Sequence, residues 1–278
     1  LLAFGSLSAF SQVTTEGREF WFGFMENIIN SPDGFSNGEI FITSKTNTQG
    51  TITIFANNTS VDFSIVAGQT QQFTLNDFFP NITAVTSGSN ERRGIQIVSD
   101  DDISVYALAN EPFSADAAVI LPKLTLGNSY VVSSYYEPLD PQSLSSMLIV
   151  GTENGTEIDV TPSVLTINNR PADQTFRIIL NQGDVYQLQS NIGDLTGSLV
   201  TIAPGSDGCK NFAVFGGNRW TRVTAGQDCS GFRGGGFRAD GHAGDHLYEQ
   251  MFPVSTLGTD YIAVPYQERE GYGLRVIA

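Results

Sequence analysis

The chain of 278 residues is long enough for two ordinary domains or one large all-β unit, and a hydrophobic content of 40% is sufficient for extensive cores. Only 15% of the residues are charged, and 29 acidic against 14 Lys and Arg side chains give a formal net charge of −15. Phosphate backbones and anionic lipid surfaces repel so acidic a chain, which argues against nucleic-acid binding and membrane-surface binding.

The first twelve residues resemble the apolar core and small-residue end of a secretory signal peptide, with cleavage near Ser11 or Gln12. A buried N-terminal strand or helix is the alternative. The apolar run is shorter than the about 20 residues that a membrane-spanning helix needs, so no membrane insertion is expected. Abundant Ser, Thr, Asn and Gly with scarce Lys also favour a secreted or cell-surface β protein.

The chain contains an internal repeat. Gly17-Arg-Glu-Phe, Gly127-Asn-Ser-Tyr and Gly258-Thr-Asp-Tyr each precede an apolar run. The first two motifs are followed by the same order of predicted strands, over the spans 17–106 and 127–215, which differ in length by one residue. We therefore predict two complete copies of one unit and the beginning of a third.

This repeat defines the predicted domain organisation: a signal-peptide remnant at 1–12, a first β repeat at 13–122, a second at 123–253 and a truncated third at 254–278. Because the third copy breaks off, further domains of the same polypeptide are expected. Short strands separated by Gly, Asn, Asp and Ser turns, in units of about 90 to 100 residues, favour an all-β fold of tandem antiparallel β-sandwich repeats. A β-propeller-like arrangement with two four-stranded blades per copy is the alternative.

Three consecutive carboxylates, Asp100, Asp101 and Asp102, lie between two predicted strands. Several oxygen ligands close together suit calcium. The matching link of the second copy, 203–208, contains a single aspartate, so our interpretation is a tight turn that tolerates Asp. Calcium binding remains the open alternative, and no other cofactor is predicted.

A Gly-rich loop, 219–250, contains both histidines of the chain. His242, Asp245 and His246 are a metal-compatible set, although the loop is a poor rigid frame for ligands. The preferred interpretation is that Asp245 and His246 hydrogen-bond the loop to its neighbour. Because function tends to reside on long loops of a rigid scaffold, we predict ligand contacts from cationic and aromatic side chains of this loop. They are Arg219, Trp220, Arg222, Phe232, Arg233, Phe237 and Arg238.

Enzymatic motifs are missing from the sequence: it has no G-x-S-x-G elbow, and its glycine run is not followed by the Lys-Ser or Lys-Thr of a phosphate loop. We therefore predict a non-enzymatic adhesion or ligand-binding module whose partner is an unidentified protein or glycan. A carbohydrate-active hydrolase is the alternative from another class, and it would need two facing carboxylates in a cleft. A structural spacer of a surface protein is the third hypothesis.

Short motifs follow one another in a fixed order over most of the chain. They include Gly17-Arg-Glu-Phe-Trp-Phe-Gly-Phe, Gly94-Ile-Gln-Ile-Val-Ser-Asp, Leu180-Asn-Gln-Gly-Asp-Val-Tyr-Gln-Leu, Ala213-Val-Phe-Gly-Gly-Asn and Asp245-His-Leu. In their order and spacing the chain resembles the N-terminal domain of the IgGFc-binding protein family. The resemblance implies a secreted binding or adhesin-like module at the N-terminal end of a larger protein and, for bacterial members, sorting by type IX secretion. It supplies no catalytic residues and does not by itself imply binding of Fc.

The two cysteines, Cys209 and Cys229, are predicted to form one disulfide in an oxidising compartment. In the family that the chain resembles, a cysteine commonly precedes the Asp-His-Leu motif, whereas Gly244 stands there in this sequence. The resemblance therefore leaves a different pairing open.

Overall fold

The computed structural model describes residues 14–28, 38–75, 82–111, 114–137, 142–221, 244–264 and 276–277. Within these ranges the chain forms sixteen β-strands and two 3₁₀ turns. The strands are β1 (Glu16–Phe22), β2 (Gly38–Ser44), β3 (Thr48–Ile54), β4 (Thr59–Ile65), β5 (Thr70–Thr74), β6 (Asn90–Glu91), β7 (Ile95–Glu111), β8 (Ser114–Ile120), β9 (Ser129–Val131), β10 (Ser145–Gly151), β11 (Thr156–Thr161), β12 (Phe176–Leu180), β13 (Val185–Ser190), β14 (Leu199–Ile202), β15 (Phe212–Thr221) and β16 (Asp245–Gln250). The 3₁₀ turns are Lys123–Thr125 and Val254–Thr256.

In the first half of the chain, the long strand β7 organises one curled antiparallel sheet. Its N-terminal part pairs with β3 on one edge, up to Ser99, and with β1 on the other, up to Ser104. Its C-terminal part, from Ile103, pairs with β2 and β8. Since β4 extends β3 and β5 extends β2, the two parts of the sheet have the orders β4-β3-β7-β1 and β5-β2-β7-β8.

The second half has the same strand order, distributed over two separate sheets. One sheet is β12-β11-β14-β9, and the other is β13-β10-β15-β16 with β6 added on the outer edge of β13. Strands β14 and β15 thus take the places of the two parts of β7. The two sheets enclose a common hydrophobic core. The prediction of an all-β, antiparallel sandwich-like fold is therefore confirmed.

In the sheet β6-β13-β10-β15-β16, called the middle sheet below, strands β10 and β13 are buried on both faces. Every residue of β10 is buried. Successive side chains of a strand point to opposite faces. Accordingly Met147 and Ile149 lie in the core of the second half, whereas Leu148 and Val150 lie in the core of the first half. The two halves therefore share a layer, and the fold is a stack of β layers with the middle sheet inside.

A proline closes each half onto the glycine with which that half begins. A Cβ atom added to Gly17 would lie 2.5 Å from Cβ of Pro122, and one added to Gly127 would lie 2.5 Å from Cβ of Pro253. Real Cβ atoms do not approach this closely, so both contacts require glycine. The beginning and the end of each half therefore meet.

The interpretation of the three aspartates as a tight turn is wrong. Asp100, Asp101 and Asp102 lie inside β7, at the point where its partner on one edge changes from β3 to β2. Side-chain hydroxyls bond the peptide groups there: Thr48 accepts the Asp101 N–H at 3.0 Å, and Ser44 donates to the Asp102 carbonyl at 2.9 Å. The strand continues because hydroxyls replace the missing ladder bonds.

Candidate functional site

One end of the middle sheet collects polar side chains from distant parts of the chain. There Ser145 of β10 lies between Ser190 of β13 and Asn218 of β15. We call this region the loop end and define it by residues 26–27, 134–137, 142–146, 187–190, 218–221 and 244–246. Many of its polar residues are buried, namely Asn27, Ser134, Glu137, Ser143, Ser145, Ser146, Gln187, Gln189, Ser190, Asn218, Thr221 and His246.

Four ranges outside the described residues, 29–37, 112–113, 138–141 and 222–243, are flanked by residues at or beside the loop end. Asn27 and Ser114 exchange hydrogen bonds: the Asn27 amide donates to the Ser114 carbonyl, and the Ser114 hydroxyl donates to Asn27 Oδ1. The Arg219 guanidinium donates to the carbonyl of Gln142 at 3.2 Å. The first pair of bonds joins described residues near 29–37 and 112–113, and the last joins described residues that border 138–141 and lie near 222–243.

An ion pair between Arg219 and Glu26 joins the two halves at this end. Arg219 Nη1 lies 3.3 Å from Glu26 Oε1, and the side chains are only 23% and 15% exposed. Gln189 donates to the other carboxylate oxygen at 2.9 Å, while the side-chain oxygen of Gln187 accepts the Glu26 N–H at 2.8 Å. Because both side chains are partly removed from water and hydrogen-bonded to neighbours, the ion pair is held in one geometry.

Trp220, the second predicted ligand residue in the described part of the chain, is half-buried beside Gly244. A Cβ atom at Gly244 would lie 2.6 Å from the indole nitrogen, so the tryptophan fits only against glycine. Asn218 fixes the backbone in front of it by accepting the Trp220 N–H at 2.8 Å and donating to the Tyr135 carbonyl at 2.7 Å. The structure thus places Arg219 and Trp220 together at the loop end.

Strands β8 and β16 are joined by side chains in place of a backbone ladder. Asp245 accepts the Ala115 N–H at 2.8 Å, Asp116 accepts the Tyr248 N–H at 2.7 Å, and Gln250 accepts the Leu121 N–H at 2.7 Å. The sequence placed Asp245 in a loop that extends to residue 250, whereas the structure places it at the start of β16, from which it bonds β8. Burial raises the pKa of the Asp116 carboxyl, and it also raises the pKa of Glu249, with the charge of Asp116 as a further cause.

His246 is buried and holds β16 against β15. Its Nδ1 lies 3.2 Å from the carbonyl oxygen of Arg219, and its ring stacks on Tyr248 with centroids 6.2 Å apart. Burial lowers the pKa of the imidazole from 6.5 to about 4, so the side chain is neutral at pH 7. Its Nε2 has no hydrogen-bond partner among the described residues.

The metal-compatible residues are spread over two places. Asp245 and His246 lie at the loop end, and His242 is outside the described residues. The aspartates are at the bend of β7, where Arg18 lies 3.1 Å from Asp102 and 3.5 Å from Asp101. In the described ranges no group of three His, Cys, Asp or Glu residues is arranged to hold a metal ion. Calcium binding stays an untested prediction.

A surface groove of about 440 Å³ lies next to this bend, on the side of β3 and β4. It is lined by Asn47, Thr48, Gln49, Ser64, Ile65, Val66, Asp100 and Asp101. The groove is separate from the loop end, and its lining combines hydroxyl, amide and carboxylate groups with two aliphatic side chains.

The remaining predicted site residues, Arg222, Phe232, Arg233, Phe237 and Arg238, lie outside the described residues. The same holds for Cys229, while Cys209 is exposed in the link between β14 and β15. The disulfide therefore stays a prediction. Sequence reasoning missed Glu26, Gln187 and Gln189. The available signal was the appearance of two glutamines among the apolar residues of β13, where a buried strand otherwise predicts aliphatic side chains.

The stacked sheets, with polar side chains from distant parts of the chain gathered at one end of the middle sheet, define the molecule as a β-sandwich scaffold. No helix in the described ranges is long and apolar enough to cross a membrane. The sequence profile of the IgGFc binding protein family matches residues 116–278, more than half of the chain, so the protein belongs to this family.

The chain is 27% identical over 190 residues to the IgGFc-binding protein of Homo sapiens, an alignment that covers 67% of this chain and 3% of the human protein. The chain therefore spans a small part of the length of that relative. Membership in a family named for binding indicates a binding module and does not point to a known class of enzyme.

Proposed function

We propose that the protein is a secreted, non-enzymatic module that binds a protein or glycan ligand through its loop end, and that it serves adhesion at a cell surface. The observation that carries the proposal is the convergence of hydrogen-bonded polar side chains from both halves on the cluster containing Arg219, Glu26 and Trp220. Binding surfaces are commonly built from several loops that a rigid scaffold brings together.

The scaffold beneath the loop end meets the requirement for rigidity. The Glu26 carboxylate accepts from Gln189 and Arg219 while its N–H donates to Gln187, and the Asn218 amide donates to Tyr135 and Ser143. Side chains with several satisfied bonds lose little further freedom when a ligand binds, which favours affinity. A half-buried Trp beside a partly exposed Arg is also the composition found at energetically important positions of interfaces.

Secretion and a surface location are supported by composition and by family membership. Low Lys content, abundant Ser, Thr and Asn, and a signal-like first segment are typical of extracellular β proteins. The human relative is named for binding IgG Fc, which makes Fc one probe among several.

The test is binding of the 278-residue protein to an array of glycans and proteins that includes immunoglobulin G Fc, followed by the same measurement on variants. Deletion of residues 226–242 should abolish binding to any ligand found, and Arg219→Ala should weaken it at least ~10-fold, as expected for an interface arginine. Arg177→Ala is the matched control, because Arg177 is also ion-paired but lies on the outer sheet with Asp159.

Two results would contradict the proposal. If both variants bind as the parent does while circular dichroism shows an intact fold, the loop end is not the binding surface. If the parent binds nothing on the array and does not support cell adhesion, the module is a spacer.

A further inference from the structure

The segment after the second half repeats the connector between the halves. Pro122 is followed by the 3₁₀ turn Lys123–Thr125 and by Gly127, and Pro253 is followed by Val254–Thr256 and Gly258. The backbone angles of the two prolines agree, with φ −65°, ψ 152° and φ −66°, ψ 150°. The second connector thus has the conformation that leads into a new half.

A tyrosine hydroxyl continues the correspondence. In the second half, the Tyr130 hydroxyl accepts the Gly127 N–H at 2.8 Å and donates to the Phe212 carbonyl at 2.7 Å. In the segment that follows, the Tyr261 hydroxyl accepts the Gly258 N–H at 2.7 Å. Tyr130 is 0% exposed, whereas Tyr261 is 73% exposed. The local turn is therefore formed, but the strands that bury its tyrosine are not around it in the described part of the chain.

The apolar side chains beside Tyr261 show the same contrast. Leu121 and Leu126 of the first connector are 2% and 6% exposed, and their counterparts Phe252 and Leu257 are 46% and 52% exposed. Ile262 and Val264 are 92% and 74% exposed. Several large apolar side chains exposed within one short segment indicate a surface that another part of the protein covers.

We propose that residues 258–264 are the first strand of a third sandwich, and that the rest of that third copy, carried by the same polypeptide after residue 278, covers this surface. The occupant is defined by the second half: β9 pairs with β14, and Tyr130 bonds to β15. Counterparts of β14 and β15 would therefore bury Tyr261. A proline at the end of the third copy would pack on Gly258, as Pro253 packs on Gly127.

This interface between repeats is independent of what the loop end binds. Each connector would then be an interface between one copy and the next, and its first turn is already folded before the next copy packs on it. The polypeptide is then an array in which each added copy buries the apolar connector left by the copy before it.

The test compares the 278-residue chain with the natural polypeptide extended through its next ~100 residues, about one sandwich. Hydrogen exchange measured by mass spectrometry should show amides 258–264 exchanging near the free-chain rate in the shorter protein and at least ~100-fold more slowly in the longer one. Tyr261→Phe should lower the melting temperature of the longer protein only. Tyr130→Phe, the matched control, should lower it in both.

Three results would overturn the proposal. The first is rapid exchange of amides 258–264 in the extended polypeptide. The second is an extended protein in which Tyr261→Phe has no effect while Tyr130→Phe destabilises. The third is concentration-dependent protection of these amides in the 278-residue chain, which would identify a second copy of the chain as the occupant.

Discussion

The two halves of the molecule have the same strand order but cross between their sheets in different ways. In the first half one strand of 17 residues, β7, serves both parts of the curled sheet. In the second half β14 and β15 do the same work as separate strands, joined by the link 203–211. The strand order of the fold therefore does not depend on an unbroken strand.

The difference shows what the polar residues at the crossing do. In the first half, hydroxyls of Ser44 and Thr48 bond the peptide groups of the aspartates, so the strand can bend without losing backbone partners. In the second half the link leaves the sheets and its Asp207 accepts the Cys209 N–H at 3.0 Å, as turn aspartates do. The chain therefore passes from one part of the sandwich to the other through a bent strand in the first half and through a turn in the second.

The halves differ again in how they use their last strand. Strand β8 is rich in alanine, whereas β16 places Tyr248 and His246 in buried positions. Tyr248 lies in the core of the first half, and its hydroxyl donates to the Gly23 carbonyl at 2.9 Å. The second half thus helps to complete the first, and the dependence between them runs through the middle sheet.

The largest effect is expected from Phe215→Ala. Phe215 belongs to β15 but is buried in the core of the first half, stacked on Tyr248 with centroids 5.1 Å apart. Removing it should cost about 3–5 kcal/mol, and it should destabilise the first half although the change lies in the second. Denaturant unfolding with hydrogen exchange measures this. Phe73→Ala, on the partly buried β5, should cost less. Unchanged exchange throughout residues 38–111 would show that the halves are independent.

The next effect is a pH dependence that originates in the second half, where both histidines of the chain lie. The pKa of His246 is about 4 in the folded protein and 6.5 when unperturbed, so the unfolded chain takes up its proton first. Stability should fall by about 3 kcal/mol as the pH drops from 6.5 to 4. His246→Gln should remove this loss, as thermal melting over that range would show.

Asp116→Asn is the control for the sign of this effect. Because burial raises the pKa of Asp116, its ionisation costs stability, and protonation restores that stability as the pH falls through the raised pKa. Removing this gain should make the acid loss steeper, opposite to His246→Gln. Equal slopes for the parent and both variants would contradict the assignment.

The smallest effect is expected at the bend of β7. Ser44→Ala and Thr48→Val each remove a hydroxyl that bonds a peptide group beside the aspartates, and each should cost about 0.5–1.5 kcal/mol. Thr53→Val is the matched control, since its hydroxyl bonds only the exposed Ser60, and it should change stability by less than about 0.5 kcal/mol. Equal free energies of unfolding for all three variants would show that these hydroxyls do not hold the strand.

The strand order of the molecule could be predicted from the sequence because the chain contains two copies of the same unit. Matching Gly17-Arg-Glu-Phe with Gly127-Asn-Ser-Tyr aligned strands that the structure then paired in the same way. The continuity of β7 was not accessible, because three aspartates between apolar runs favour a turn wherever local chemistry alone decides. The hydroxyls that override this preference come from β2 and β3, more than 50 positions earlier.

The site was predicted only in part. Arg219 and Trp220 were predicted as residues of a long loop, whereas the structure places both in the last part of β15, at the loop end. Glu26 was not identified, since a carboxylate 193 positions from its arginine has no sequence feature that reveals the pair. Side-chain partners across such distances are fixed by how whole sheets pack, which sequence periodicity does not encode.

The sequence by itself determined the all-β class, the repeat and the family, because alternation of side chains, turn residues and motif order are local properties. Only the tertiary structure decided that the halves share a doubly buried sheet, that the aspartates sit in a bent strand and that polar side chains of both halves meet at one end. Those features depend on which elements cover each face of a strand. In β10, Leu148 packs in the core of the first half and Met147 in the core of the second, an arrangement that exists only after the sheets have packed.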